Sequence, residues 1–494
     1  MAVAISVARA DRARMHQLGY KQELKRGLSV VSNFEFSFSL ISVLTGVTST
    51  NNTGLRSGVP ASMTLGWLVV ASFNGCVALS MAEICSAYPT SGGLYYWSAK
   101  LAGGKWASLA SWVTGWFNIV GQWASTTSVD FSLAQLLQVI ILLGTGGAQG
   151  GGYRASKYVV LAIYGFILVL HGLINSLPIH WLSWFGKFGA FWNAAGVFVL
   201  AILIPAVANE RASVEFIFTQ FNTDNGMGVH GKALHSSCGV VDEPILCHWL
   251  YDTSAHMTEE TKNADRSGPI GIITSVSLAT IIRWVYLVAL TSIVTDIPYL
   301  LSADNDAGSY AIAQALYNTF HQRYGRGVGG LACLGVVAIA MFLCGVACIT
   351  SNSRMGYAFS RDGAMPYSHM WYQVSKPLNV VWLSIVVAFT MALTVFAGES
   401  CGVPGDVVDR DAGVVYLLGV AHLLPCDHGP EVIHLGAVSS WQWDASACGK
   451  IEDEALKAIM EEEMATTMGE KRMPNKVLVR KGGPSMVIFV TSDL

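Results

Sequence analysis

Between residues 28 and 397 the apolar positions of this chain fall into runs of about twenty, parted by short polar segments. Runs that long, with no polar stripe at helical spacing, predict bilayer-crossing helices, because ~20 residues rising 1.5 Å each cover the ~30 Å hydrocarbon layer. The pattern predicts spans at 28–49, 64–84, 106–143, 158–177, 181–208, 271–294, 328–350 and 379–397. Pro178, Ile179 and His180 form so short a link that the fourth and fifth spans must be an antiparallel hairpin. In the third run, residues 125–130 read as a polar interruption, so a long helix followed by a surface segment is expected there. The outer half of the first run, Thr45, Gly46, Val47, Thr48, Ser49 and Thr50, is rich in glycine and hydroxyls where a helix should still lie in the membrane. Interrupted helices of that kind point to transporter binding sites, although a helix ending at Gly46 fits the same residues.

Two stretches break the pattern. Residues 229–250, where a sixth span is due, carry Lys232, Asp242, Glu243, Pro244 and three histidines. Each charge at a helix centre costs about 2.5–3.5 kcal/mol on insertion scales, so this segment does not read as a membrane helix. After Glu399 only 414–424 is continuously apolar, too short to cross, and 451–465 reads as a short acidic soluble helix. The expected organisation is a basic tail at 1–27, a membrane domain at 28–397 with 229–250 atypical, and a mostly polar region at 398–494. The tail has no apolar core, so no cleavable signal peptide is expected.

Composition narrows the class. Of 494 residues 52% are hydrophobic and 13% charged, with mean hydropathy +0.45, against roughly a quarter charged in soluble proteins. A net charge of -3 gives no footprint for nucleic acid. Ten cysteines are scattered without a CxxC pair, and no nucleophile–base constellation or metal-ligand spacing occurs. No enzyme, metal or cofactor is expected. Besides Glu83 at a span end and Asp130 in the polar interruption, three charges lie inside spans: Glu35, Lys187 and Arg283. Lys187 can snorkel or take part in cation coupling, and Arg283 must pair inside the bundle or be a damaging substitution. With a sixth crossing present, the inner segments hold thirteen Lys and Arg and the outer loops six (Arg56, Arg154, Lys157, Arg211, Arg323, Arg326), so the tail is expected on the cytoplasmic side.

Three segments carry chemistry-bearing patterns in a fixed order. The first is 80–97, SMAEICSAYPTSGGLYYW. There Glu83 marks a helix end near the interface, Pro89 a stop, Gly92 and Gly93 a tight backbone passage, and Tyr95, Tyr96 and Trp97 a water–hydrocarbon boundary. The second is 252–269, with Glu259, Glu260, Thr261, Lys262 and Asn263. The third is 351–366, with Ser353, Arg354, Arg361, Asp362, Gly363 and Pro366. Together with GYKQELKR at 19–26 and SVDFSLAQ at 128–135, they resemble the amino acid–polyamine–organocation transporters. The closest likeness is to the plant bidirectional amino-acid transporter and GABA permease family.

The resemblance implies an all-α polytopic fold of two five-helix inverted repeats, here with a disrupted sixth helix and missing C-terminal spans. It implies a secondary transporter moving small-molecule amino acids, GABA among them, across a lipid bilayer by alternating access, driven by a proton gradient or by substrate exchange. A transport-inactive truncated isoform or an amino-acid sensor on the same fold is the alternative. By the same resemblance the substrate carboxylate would meet the N–H groups of Thr45, Gly46 and Val47, with Tyr251 at the sixth-helix break, while Asp252, Lys187 and Glu83 would gate or couple.

Overall fold

The computed structural model describes residues 11–20, 26–57, 59–219, 253–372 and 378–400. The expected disruption at 229–250, Tyr251 and Asp252, and the region after 400 lie outside the described residues. Contacts divide the chain into a large unit, Met1–Asp11 with Gln22–His434, and a small one, Arg12–Lys21 with Leu435–Leu494. The described part of the small unit is a short, mostly helical stretch. All that follows concerns the large unit.

Its described residues are helical, and their one sheet-like feature is an isolated parallel bridge between Leu28 and Thr261. The long helices in chain order are α1 (Val30–Ile41), α2 (Val43–Ser57), α3 (Val59–Ala87), α4 (Leu94–Leu101), α5 (Gly103–Gly144), α6 (Lys157–Asn175) and α7 (Ile179–Val207). After the short α8 (Val214–Thr219) and α9 (Thr253–His256) come α10 (Ala264–Thr291), α11 (Ile297–Leu301), α12 (Ala311–Tyr324), α13 (Val328–Arg361), α14 (Ser368–Trp371) and α15 (Leu378–Ser400). Taking α1 and α2 as one span, seven described helices are long and apolar enough to cross a membrane. A shorter apolar stretch at Leu378–Leu393 lies within α15. Seven of the eight spans expected from hydropathy are therefore present with shifted ends, and the eighth, 379–397, falls on that shorter stretch of α15.

Two boundaries move for one reason, and a third shifts by a turn. The polar run 125–130 does not interrupt α5, which continues unbroken for 42 residues, about 63 Å. Thr126 and Thr127 hydroxyls donate to the Gln122 and Trp123 carbonyls at 3.2 and 3.0 Å, so the run is polar yet satisfied within its own helix. The segment after residue 350, expected as a loop, stays helical to Arg361 because its polar side chains are buried against partners on other helices. In α3 the helix runs one turn past Glu83, which is exposed, and ends at Ala87 ahead of Pro89.

Packing brings these helices into two neighbourhoods. One joins α1 and α3 to α10, and the other joins α5, α6 and α15 to α13, with α7 and α13 each touching α1. Without a hydrophobic drive between helices in lipid, such contacts depend on small residues that let backbones approach. A Cβ on Gly186 would touch the Phe36 ring at 3.5 Å, and one on Gly196 would press into Leu44 at 2.8 Å. Glycine thus sets how closely α7 lies on the broken first helix.

Candidate functional site

The first span is broken, three residues before the expected position. It ends at Ile41, passes through Ser42 in a left-handed conformation (φ 31°, ψ 87°), and restarts at Val43. A serine there is strained, and its hydroxyl is held from both sides: it donates to Asn193 Oδ1 at 2.9 Å and lies 2.6 Å from Thr45 Oγ1. The Ser42 N–H donates to the Phe38 carbonyl at 3.2 Å, closing α1.

Breaking a helix strands carbonyls at one lip and N–H groups at the other. At the carbonyl lip Cys344 Sγ donates to the Leu40 oxygen at 3.2 Å, and Arg283 Nη2 donates to the Ile41 oxygen at 2.7 Å. Arg283 is fully buried, with its guanidinium 5.1 Å from the Trp67 ring centre. It therefore does pair inside the bundle, where its charge meets the negative end of the α1 dipole. At the N–H lip the Gly46 N–H already donates to the Ser42 carbonyl at 3.1 Å. The first-turn donors of α2 are thus those of Val43, Leu44 and Thr45, at the positive end of its dipole. Thr48 Oγ1 and Tyr286 OH, 3.3 Å apart, tie the next turn of α2 to α10.

The three patterned segments meet at one end of the bundle. Arg361 forks onto Glu259 with two hydrogen bonds of 2.9 Å, and the Ser91 N–H donates to the same carboxylate at 3.3 Å. His256 Nδ1 lies 2.9 Å from the Ser91 carbonyl, and Tyr95 OH donates to Asp362 Oδ2 at 2.8 Å. Arg354 Nε stands 3.5 Å from Glu260 Oε1. Gly93, at φ 51° and ψ -122°, turns the chain where an added Cβ would come 3.2 Å from the His256 ring. The expected boundary aromatics are instead sealed inside: Tyr95 and Trp97 are 3% and 2% exposed, and Trp97 Nε1 donates to the Tyr88 carbonyl at 2.9 Å.

An N-terminal strap joins this cluster. The Leu28 N–H donates to the Glu260 carbonyl and the Lys262 N–H to the Leu28 carbonyl, at 2.9 and 3.0 Å. Arg26 Nη1 donates to the Thr261 carbonyl at 2.6 Å and lies 3.4 Å from Asp11 Oδ2. Burial draws the Arg26 pKa below its ordinary value, against the pull of Asp11, Glu259 and Asp265.

Of the residues expected at the site, Thr45, Gly46 and Val47 lie in the first turn and a half of α2, just beyond the break. Lys187 sits on an exposed side of α7, within electrostatic reach of Glu35. It is six residues, about 9 Å along the helix, from Asn193. Glu83 is exposed on α3. Sequence reasoning missed Ser42, Asn193 and Cys344. The one available signal was the hydroxyl pair at 42 and 45, spaced like a cap and the third residue of a helix start.

A sequence model described as amino acid permease matches residues 28–420. A rice protein named "Amino-acid permease BAT1 homolog" is 62% identical over 384 residues, 77% of this chain and 74% of its own. "Amino-acid permease BAT1" from Arabidopsis thaliana is 58% identical over 393 residues, covering 79% and 76%. The "GABA-specific permease" of Saccharomyces cerevisiae is 27% identical over 386 residues, covering 76% and 64%. Among solved structures, a manganese transporter from Eremococcus coleocola aligns at 13% identity with a TM-score of 0.45, over 90% of this chain and 89% of that one. A multi-pass membrane protein with an interrupted first span, matched over most of its length by these permeases, is a transporter and not an enzyme: the chain belongs to the amino acid permease family.

Proposed function

We propose that the chain moves α- or ω-amino acids, GABA among them, by alternating access around the break at Ser42, coupled to a proton gradient or to exchange. The break itself carries the reading. Its α2 lip offers the Val43, Leu44 and Thr45 N–H groups and the positive dipole end, which suit a carboxylate. Its α1 lip suits an ammonium poorly, because the Leu40 carbonyl already accepts from Cys344 and the Ile41 carbonyl from the Arg283 cation, which repels a second positive charge. The ammonium would then turn to the segment at Tyr251 and Asp252. The network of Arg361, Glu259 and Asp362 supports a latch that closes one end of the pathway while the other exchanges substrate. Lys187 and Glu83 stand as coupling candidates on exposed helix faces.

The test is uptake and counterflow of labelled amino acids, GABA and choline in proteoliposomes holding the full chain, with and without a pH gradient. Saturable amino-acid movement that empties when unlabelled substrate is added supports the reading. Amino-acid binding without movement replaces it with a sensor, and the absence of both overturns it.

A further inference from the structure

Away from the break, α5 and α6 place a carboxylate against an imidazole inside the membrane domain. Asp130 Oδ2 lies 3.1 Å from His171 Nδ1, and both side chains are 0% exposed. The outward atoms of the pair, Asp130 Oδ1 and His171 Nε2, are also buried and accept or donate nothing. The Phe342 ring covers the imidazole at 4.5 Å between centres. Gly345 of α13 is packed directly on the pair, and any Cβ there would collide with both Asp130 Oδ1 and the His171 ring. A fully hydrogen-bonded structural tie would not leave one open site on each partner, since buried polar atoms are ordinarily satisfied.

The electrostatic surroundings are bare. The ionisable neighbours within reach of Asp130 are Tyr164 on α6 and Cys348, with Cys344 beside it, on α13. Lys105 on α5 stands about 38 Å away along its helix, Lys157 on α6 about 21 Å from His171, and Arg354 on α13 about 14 Å from Gly345. The described side chains of α15 include no ionisable group. With no third charge at hand among the described residues, the pair is electrically neutral only when it holds a single exchangeable proton, whether as aspartate and imidazolium or as aspartic acid and imidazole.

Polar side chains on α6 and α13 run from the backbone beside the pair toward the latch, starting at the His171 carbonyl and not at its ring. Asn175 Nδ2 donates to the His171 carbonyl at 3.0 Å, and Thr350 Oγ1 donates to Asn175 Oδ1 at 2.7 Å. The Thr350 carbonyl accepts from Ser353 Oγ at 2.8 Å; Ser353 Oγ accepts from Arg354 Nη1 at 2.9 Å, and Arg354 faces Glu260 at 3.5 Å. One turn before Asp130, Thr126 Oγ1 accepts from Asn352 Nδ2 at 2.7 Å. The same helix, α13, also holds the break through Cys344, the neighbour of Gly345.

We infer that Asp130 and His171 form an intramembrane binding site for one exchangeable proton, linked to the broken helix and to the latch through the packing of α13. Losing the proton leaves aspartate beside neutral imidazole, a net negative charge held against Gly345. Regaining it restores neutrality. The inference deepens the transport reading by naming where a coupling ion would sit, and its test does not depend on transport. Infrared difference spectra of the reconstituted full chain are recorded over about pH 5 to 10, which brackets free imidazole. The expected result is a one-proton transition carrying carboxyl and imidazole bands together, with both bands lost in Asp130→Asn and again in His171→Gln. Either variant alone suffices if the other fails to fold. An unchanged spectrum in the variants, or a His171 band that titrates as before in Asp130→Asn, overturns the site. Persistence of the transition in a chain that moves no amino acid would sink the transport reading and leave the proton site standing.

Discussion

Truncating Arg361 to alanine removes both guanidinium donors from Glu259 and leaves a carboxylate that is 0% exposed with the Ser91 N–H beside it. Removing one member of a buried pair typically costs about 3–5 kcal/mol. Arg361 is itself 9% exposed, so little of that is lost to solvent screening. At 1.4 kcal/mol per decade, the open-latch population should rise roughly a hundred- to a few thousand-fold, levelling off once open forms are the majority. Ser91→Cys supplies a reporter, because Ser91 is 1% exposed and its hydroxyl has no hydrogen-bond partner to lose. Its thiol reacts with a membrane-impermeant reagent only while the latch is open, so the reaction rate measures the open population. The expected result is a rate at least a hundredfold higher in Ser91→Cys/Arg361→Ala than in Ser91→Cys, above the background of the native cysteines. A change of less than about threefold would mean that the forked pair contributes under 1 kcal/mol, and would refute the latch.

The same reporter ranks a weaker perturbation: Tyr95→Phe removes one hydrogen bond to the Asp362 carboxylate, worth about 1.5–3 kcal/mol, and should open the latch about ten- to a hundredfold. Gly93→Val puts a branched side chain at φ 51° against His256, a cost of about 1–3 kcal/mol, and should lower the thermal midpoint of the purified protein. Asn193→Leu strips the acceptor from Ser42 Oγ and should weaken amino-acid binding about fivefold in equilibrium assays, with the fold intact by circular dichroism. Arg283→Met leaves the Ile41 carbonyl buried without its donor, and should reduce the yield of monodisperse protein in size-exclusion chromatography.

Hydropathy located the spans because a bilayer demands long apolar helices whatever their partners. It misplaced boundaries wherever polar residues are satisfied by tertiary contacts. Ser351, Asn352, Ser353 and Arg354 look like a loop in isolation, yet all four are buried on α13, and Ser351, Asn352 and Arg354 meet partners on other segments. The break fell at Ser42 and not at Gly46 because the strain at Ser42 is compensated by Asn193, 151 positions later, and no local pattern reports that distance. Tyr95 and Trp97 suggested an interface because an aromatic with one polar atom suits both wet boundaries and sealed loops. Only the partners, Asp362 and the Tyr88 carbonyl, decide between them. Arg283 was legible as a charge needing a partner, since an unpaired cation at that depth is too costly to keep. What it meets, a carbonyl freed by the broken helix, was not.

The central claim is that the first-turn N–H groups of α2 hold the substrate carboxylate, and Val43→Pro tests it most directly. Proline at the first helical position deletes that N–H, which has no helical partner; because its ring also restricts the left-handed Ser42 before it, the thermal midpoint is the control for a displaced break. Counterflow of labelled amino acids should then show an apparent affinity weakened by about ten- to a hundredfold, the loss of one charge-assisted hydrogen bond, with an unchanged thermal midpoint. Equal affinity in Val43→Pro and the unaltered chain would contradict the account.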